Sequence, residues 1–148
     1  MTSRLSTVAV DLVHQIEGLP PEVLRRVATE AATLAVDRTQ LADPRIGPAL
    51  SALGASSGVP SARQAIEQLT EELDERAWDI QDLVDAGAAS EDAYLEAFRR
   101  ARAAAAVGYA LNPDPQTAAF ESVYEAQAAV VDLGAVRMAV AIAMASQP

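Results

Sequence analysis

The segment Glu71-Glu72-Leu73-Asp74-Glu75 places carboxylates at i, i+3 and i+4 of a helix. Acidic side chains at that spacing share a helix side and can hold magnesium for phosphate chemistry. Glu71, Glu72, Glu75 and, a turn further on, Asp79 are therefore candidate metal ligands. The same stretch supports a different chemistry, that of recognition. At about 100° per residue, Glu67, Glu71, Asp74, Glu75, Asp82 and Asp85 fall in one sector around Trp78, the only tryptophan of the chain. A large aromatic on a polar face contradicts binary patterning, and Trp is enriched among binding hot spots. Two structural readings compete: a neighbouring element covers Trp78, or the carboxylates form a solvated face.

The run Glu71-Glu72-x-x-Glu75 resembles the first metal-binding motif of the all-helical nucleotide pyrophosphohydrolases. The resemblance implies a magnesium-dependent enzyme acting on a phosphorylated small molecule. That family also carries an ExxD motif on the following helix. The candidates here, Glu91-Asp92-Ala93-Tyr94 and Glu96-Ala97-Phe98-Arg99, do not supply it.

Other reaction chemistries lack their parts. His14 is the only histidine and there is no cysteine, so no thiolate site, disulfide or nucleophile–base pair can be assembled from the sequence. The glycines from Gly54 to Gly58 have neither the lysine nor the preceding strand of a phosphate loop. No cofactor is expected. Arg99, Arg100 and Arg102 form the single basic cluster, suited to neutralising an adjacent acidic helix. A pocket lined by Tyr94, Phe98, Tyr109, Phe120 and Tyr124 is a third functional reading, that of a small-molecule-binding protein.

Of 148 residues, 33 are Ala, the best helix former, and no alternating β-branched run offers a strand. The expected fold class is all-α: residues 1–148 as a single helical domain, an irregular bundle of about six helices with a long C-terminal helix. The net charge of −10 resides in residues 67–96, which hold 11 carboxylates against Arg76 alone. That distribution argues against nucleic acid and anionic membranes as partners, both of which need a basic footprint. No stretch approaches the roughly 18 uncharged apolar residues of a membrane span, and the N-terminal segment lacks a signal peptide's apolar region. A cytoplasmic location is expected. All 11 basic residues are Arg, the usage of a GC-rich genome such as an actinobacterium's.

Turn chemistry sets the helices that would carry these residues. The first runs from Leu5 to Ile16 and ends at Gly18; the second runs from Pro21 to about Gln40. Asp43-Pro44 opens a short third, and Gly54 to Pro60 forms a loop. Ser61 with Gln64 reads as a capping box for a fourth helix lasting to about Ala86. Ser90 caps the fifth, and Asp114-Pro115 opens a sixth that reaches toward Ala145, with Gly134 as a possible interruption. The stretch 133–145 is apolar nearly all round and has only Arg137 as a charge. It is expected to be either the bundle centre or a homodimer seam formed by Val136, Met138, Val140 and Ile142, with Arg137 at its edge.

Phe98-Arg99-Arg100-Ala101-Arg102-Ala103-Ala104-Ala105-Ala106, followed by Ala118-Ala119-Phe120-Glu121-Ser122-Val123-Tyr124-Glu125-Ala126, resembles the Ala-rich paired helices of immunity proteins from bacterial polymorphic-toxin systems. The resemblance implies a helical protein that neutralises a toxin by binding it. The leading expectation is accordingly a noncatalytic protein-binding module, immunity-like or inhibitory. Its acidic face around Trp78 would meet a basic protein partner such as a toxin.

Overall fold

The computed structural model describes residues 3–55 and 58–145, and every regular element among them is helical. A 3-10 turn, η1 (Arg4–Thr7), precedes α1 (Val10–Ile16), α2 (Pro21–Thr39) and α3 (Ile46–Leu53). Then follow α4 (Val59–Asp85), α5 (Glu91–Ala110), α6 (Pro115–Val130) and α7 (Leu133–Ala145). Seven α-helices among the described residues thus stand where about six were expected. None is long and apolar enough to cross a membrane.

Local chemistry accounts for the boundaries. Pro21 and Pro115 occupy the first turns of α2 and α6, where a missing N–H costs nothing. Ser90 Oγ accepts from Ala93 N at 3.2 Å, and Asp114 Oδ2 accepts from Thr117 N at 3.0 Å, so both expected caps form. The capping box at Ser61 does not. Gly58, with φ of 81°, turns the chain so that α4 starts at Val59 with Pro60 in its first turn, ahead of Ser61. Of the expected loop from Gly54 to Pro60, Ser56 and Ser57 lie outside the described residues.

Two expected helices are broken. The first divides because Ser6 Oγ and Thr7 Oγ1 donate to the carbonyls of Ser3 and Arg4, local bonds that compete with an α-helical ladder. Ala9 then leaves the helical region, with φ of −150° and ψ of 83°, ahead of α1. The long sixth helix divides at Val131, whose φ of 55° is left-handed, and Asp132 Oδ1 caps α7 by accepting from Ala135 N at 3.1 Å. Gly134 is not the interruption; it lies inside α7.

Helices α2, α5 and α6 pack on one another at the centre, with α4 against α5 and α7 against α2 and α6. Alanine makes the centre possible: Ala28, Ala31, Ala32 and Ala35 on α2, Ala103, Ala104 and Ala106 on α5, and Ala118, Ala119 and Ala126 on α6 are all fully buried. Small side chains let the helix backbones approach, and Leu12, Ile16, Val27, Ile66, Val107 and Val123 fill the remaining space. Gly108 of α5 faces α4, where a Cβ would stand 3.4 Å from Ile66 Cγ2. Arg25 on α2 secures the α5–α6 connection by donating to the carbonyls of Asn112 and Pro113.

Candidate functional site

The inner face of α4 buries Ile66, Leu69 and Ala77, with Ala62, Leu73, Ile80 and Val84 half-buried beside them. That orientation turns Trp78 outward. Trp78 is 68% exposed, so no neighbouring element covers it. Around it on the same helix face stand Glu67, Glu71, Glu75, Asp82 and Asp85, all exposed, while Asp74 is half-buried.

Ion pairing divides this acidic set. Glu67 pairs with Arg63 at 3.3 Å, and Asp74 with Arg102 of α5 at 2.7 Å. The basic cluster thus neutralises part of the adjacent acidic helix, while Arg100 pairs within α5 to Glu96 at 2.7 Å. Among the described residues Glu71, Glu75, Asp82 and Asp85 have no ion pair. They stand at i−7, i−3, i+4 and i+7 from Trp78, so they form one column with it along the helix. The uncompensated acidic face is therefore narrower than the sequence suggested. It has Trp78 near its middle.

The alternative metal ligands are not brought together. Glu72 lies about 100° around the helix from Glu71, facing the segment before α3, where Arg45 grips it at 2.7 and 3.2 Å. Arg45 also binds Asp43, and these contacts hold the carboxyls of Glu72 and Asp43 below their ordinary values, with the Arg45 hydrogen bonds as the main cause. Among the described residues no three His, Asp or Glu side chains converge as a metal site requires. His14 is exposed on α1, 3.9 Å from Glu17.

The five aromatic residues of the third reading separate as well. Tyr94 and Phe98 stack at 6.1 Å near the start of α5, and Phe120 is buried on α6. Tyr109 and Tyr124 instead flank the Arg4 guanidinium, whose carbon lies 5.7 and 4.2 Å from the two ring centres.

That contact leads to a charged cluster that the sequence reading missed. Glu125 of α6 is 1% exposed. Its Oε2 accepts from Arg102 Nη1 at 2.6 Å, and its Oε1 lies 3.1 Å from Arg4 Nη2. Arg4 also binds Glu121, and Arg102 also binds Asp74, so five alternating charges join η1, α6, α5 and α4. Burial pushes the Glu125 carboxyl above its ordinary value, an effect that Arg102 and Arg4 oppose only in part. Periodicity alone could have flagged Glu125: it lies between Ser122 and Ala126 on the buried stripe of α6, an acid where the core expects an apolar residue.

The apolar C-terminal positions also separate. Val136 and Val140 are fully buried within the chain, whereas Met138 and Ile142 are 63% and 48% exposed. Val136 and Val140 thus belong to the core, which corrects their assignment to a subunit seam. Arg137, expected at the seam's edge, forms a two-toothed pair with Asp11 of α1 at 2.8 and 3.1 Å. The helix is a flank of the bundle rather than its centre, since only one of its sides has helices to pack on.

The fold and site define an all-helical bundle with a partly neutralised acidic flank and a chain of ion pairs centred on the buried Glu125. Comparison of the chain with protein-family models, curated proteins and solved structures gives no match.

Proposed function

We propose that the chain is a noncatalytic protein-binding module, immunity-like or inhibitory in kind. Its contact surface is the outer face of α4 around Trp78, and its partner is a basic protein. The observation that carries this reading is the exposure of Trp78, at 68%, within a column of carboxylates that the fold leaves unpaired.

An indole left in water on the outer face of a 27-residue helix keeps most of its apolar surface available for burial by a partner. A partner that covers it gains a large apolar anchor. Glu71, Glu75, Asp82 and Asp85 supply a negative field that accelerates encounter with a basic surface and fixes its register. An inhibitor of a protein with a cationic substrate groove needs both properties.

The test is partner capture with the intact chain, followed by measurement of the purified pair. Trp78→Ala should weaken the complex by about thirtyfold or more, the scale of a hot-spot residue. Glu71→Gln, Glu75→Gln and Asp82→Asn combined should slow association and flatten its dependence on salt. A partner that binds all variants equally would place the contact elsewhere.

A further inference from the structure

Helix α7 has two unlike faces. Val136, Ala139, Val140 and Ala143 are buried on the side that packs on α2 and α6. At about 100° per residue, Gly134, Met138, Ala141, Ile142 and Ala145 fall in one sector on the other side, and all five are exposed. Met138 is 63% exposed and Ile142 48%, and Val131, just ahead of the helix, is 64% exposed. None of these residues has a polar side chain. Apolar residues scattered singly on a surface are ordinary, whereas a contiguous apolar face rimmed by charges marks a contact.

The charges at the rim decide what can cover it. Arg137, at the edge of the sector, binds Asp11 of α1 at 2.8 and 3.1 Å, and Asp132, ahead of the helix, pairs with Arg38 of α2 at 3.6 Å. Arg26 of α2 is half-buried and donates to the carbonyl of Ala143 at 3.2 Å. A charged partner therefore finds little here to pair with, and what fits is another uncharged, apolar helix face. The chain itself supplies one. Its net charge of −10 resides in residues 67–96, on α4 and the start of α5. Helix α4 packs on α5 and α3, whereas α7 packs on α2 and α6, so two copies can meet through α7 with their acidic segments on other flanks.

We propose that this face of α7 pairs with the same face of a second copy. Met138 lies near the middle of the row, so a two-fold axis there sets the two helices antiparallel, with Met138 against Met138 and the helix dipoles opposed. A 13-residue helix is about 20 Å long, and pairing along it buries less than the roughly 1,200 Å² of a stable interface. The dimer is accordingly weak, with Kd between about 10 µM and 1 mM.

Sedimentation equilibrium of the intact chain from about 5 µM to 2 mM spans that range and tests the proposal. The average mass should rise from monomer toward dimer. Met138→Glu puts a charge at the centre of the seam, at a position exposed in the monomer, so the variant should fold normally and stay monomeric throughout. The chain has no cysteine, so Met138→Cys gives a second readout. Under mild oxidation it should form a covalent dimer at least tenfold faster than Asp79→Cys, whose position is exposed on α4. A native chain that is monomeric at the highest concentration overturns the proposal. So does a dimer that persists in Met138→Glu, or equal cross-linking of the two cysteine variants. A monomer that binds neutral phosphatidylcholine vesicles, and loses that binding in Met138→Glu, would give the face to a lipid surface instead.

Discussion

Arg102 on α5 and Glu125 on α6 meet at 2.6 Å across a contact from which water is almost excluded, with Glu125 only 1% exposed. A carboxylate in that position loses hydration that its two guanidinium neighbours do not fully replace, and its pKa is raised as a result.

The sign of the pH effect follows. A carboxyl whose folded pKa exceeds its unfolded value of about 4.5 takes up a proton on folding, so its contribution to stability is largest at low pH. The contribution declines as pH rises from the unfolded value through the folded one. The stability of the native chain minus that of Glu125→Gln should therefore fall as pH rises from about 4 toward neutrality. Urea unfolding of both proteins at several pH values measures it, and a difference that grows with pH would contradict the assignment.

Val131 should be replaceable with profit. Its φ of 55° puts a β-branched residue in the left-handed region at the end of α6, and its side chain is exposed. Val131→Gly should stabilise the chain by about 1 kcal/mol by relieving that conformation, less the added freedom of the unfolded state. A lower thermal midpoint for the variant would show that the turn is not strained.

The two sides of α7 should respond differently. Val140→Ala removes fully buried methyl groups and should cost about 2 kcal/mol, whereas Met138→Ser changes an exposed position and should fall within about 0.5 kcal/mol. Equal effects in denaturant unfolding would refute this placement of the helix.

The contact between α4 and α5 rests on Ile66 filling the space above Gly108. Ile66→Ala should destabilise by about 2–5 kcal/mol. Gly108→Val should also destabilise, by about 1–3 kcal/mol, because added branches overpack the same space. A neutral result in either would mean that the helices sit further apart.

Much of the fold was legible because helix boundaries are written in short-range chemistry. Pro21, Ser90 and Asp114-Pro115 announce α2, α5 and α6 through residues that act within one turn. The breaks at Ala9 and Val131 were hidden because the apolar periodicity continues through both; what breaks the ladder is hydroxyl-to-carbonyl bonding in one case and capping by Asp132 in the other. Asp132 followed by Gly134 was the available signal at the second. At the site, the position of Trp78 on the outer sector follows from helix geometry alone. Which carboxylates remain uncompensated does not, because Arg45 reaches Glu72 from 27 residues away and Arg102 reaches Asp74 from 28. The Arg4–Glu125 contact was illegible for the same reason: the two residues are 121 positions apart in the sequence and meet only through the packing of η1 on α6.

The most direct test is the affinity of the purified partner complex for the native chain against Trp78→Ala, measured beside the unfolding stability of both. Because Trp78 is exposed and packs on nothing in the core, its removal should leave stability within about 0.5 kcal/mol while binding falls by about thirtyfold or more. Unchanged affinity in a variant of unchanged stability would show that the outer face of α4 is a solvated surface and that the partner is met elsewhere.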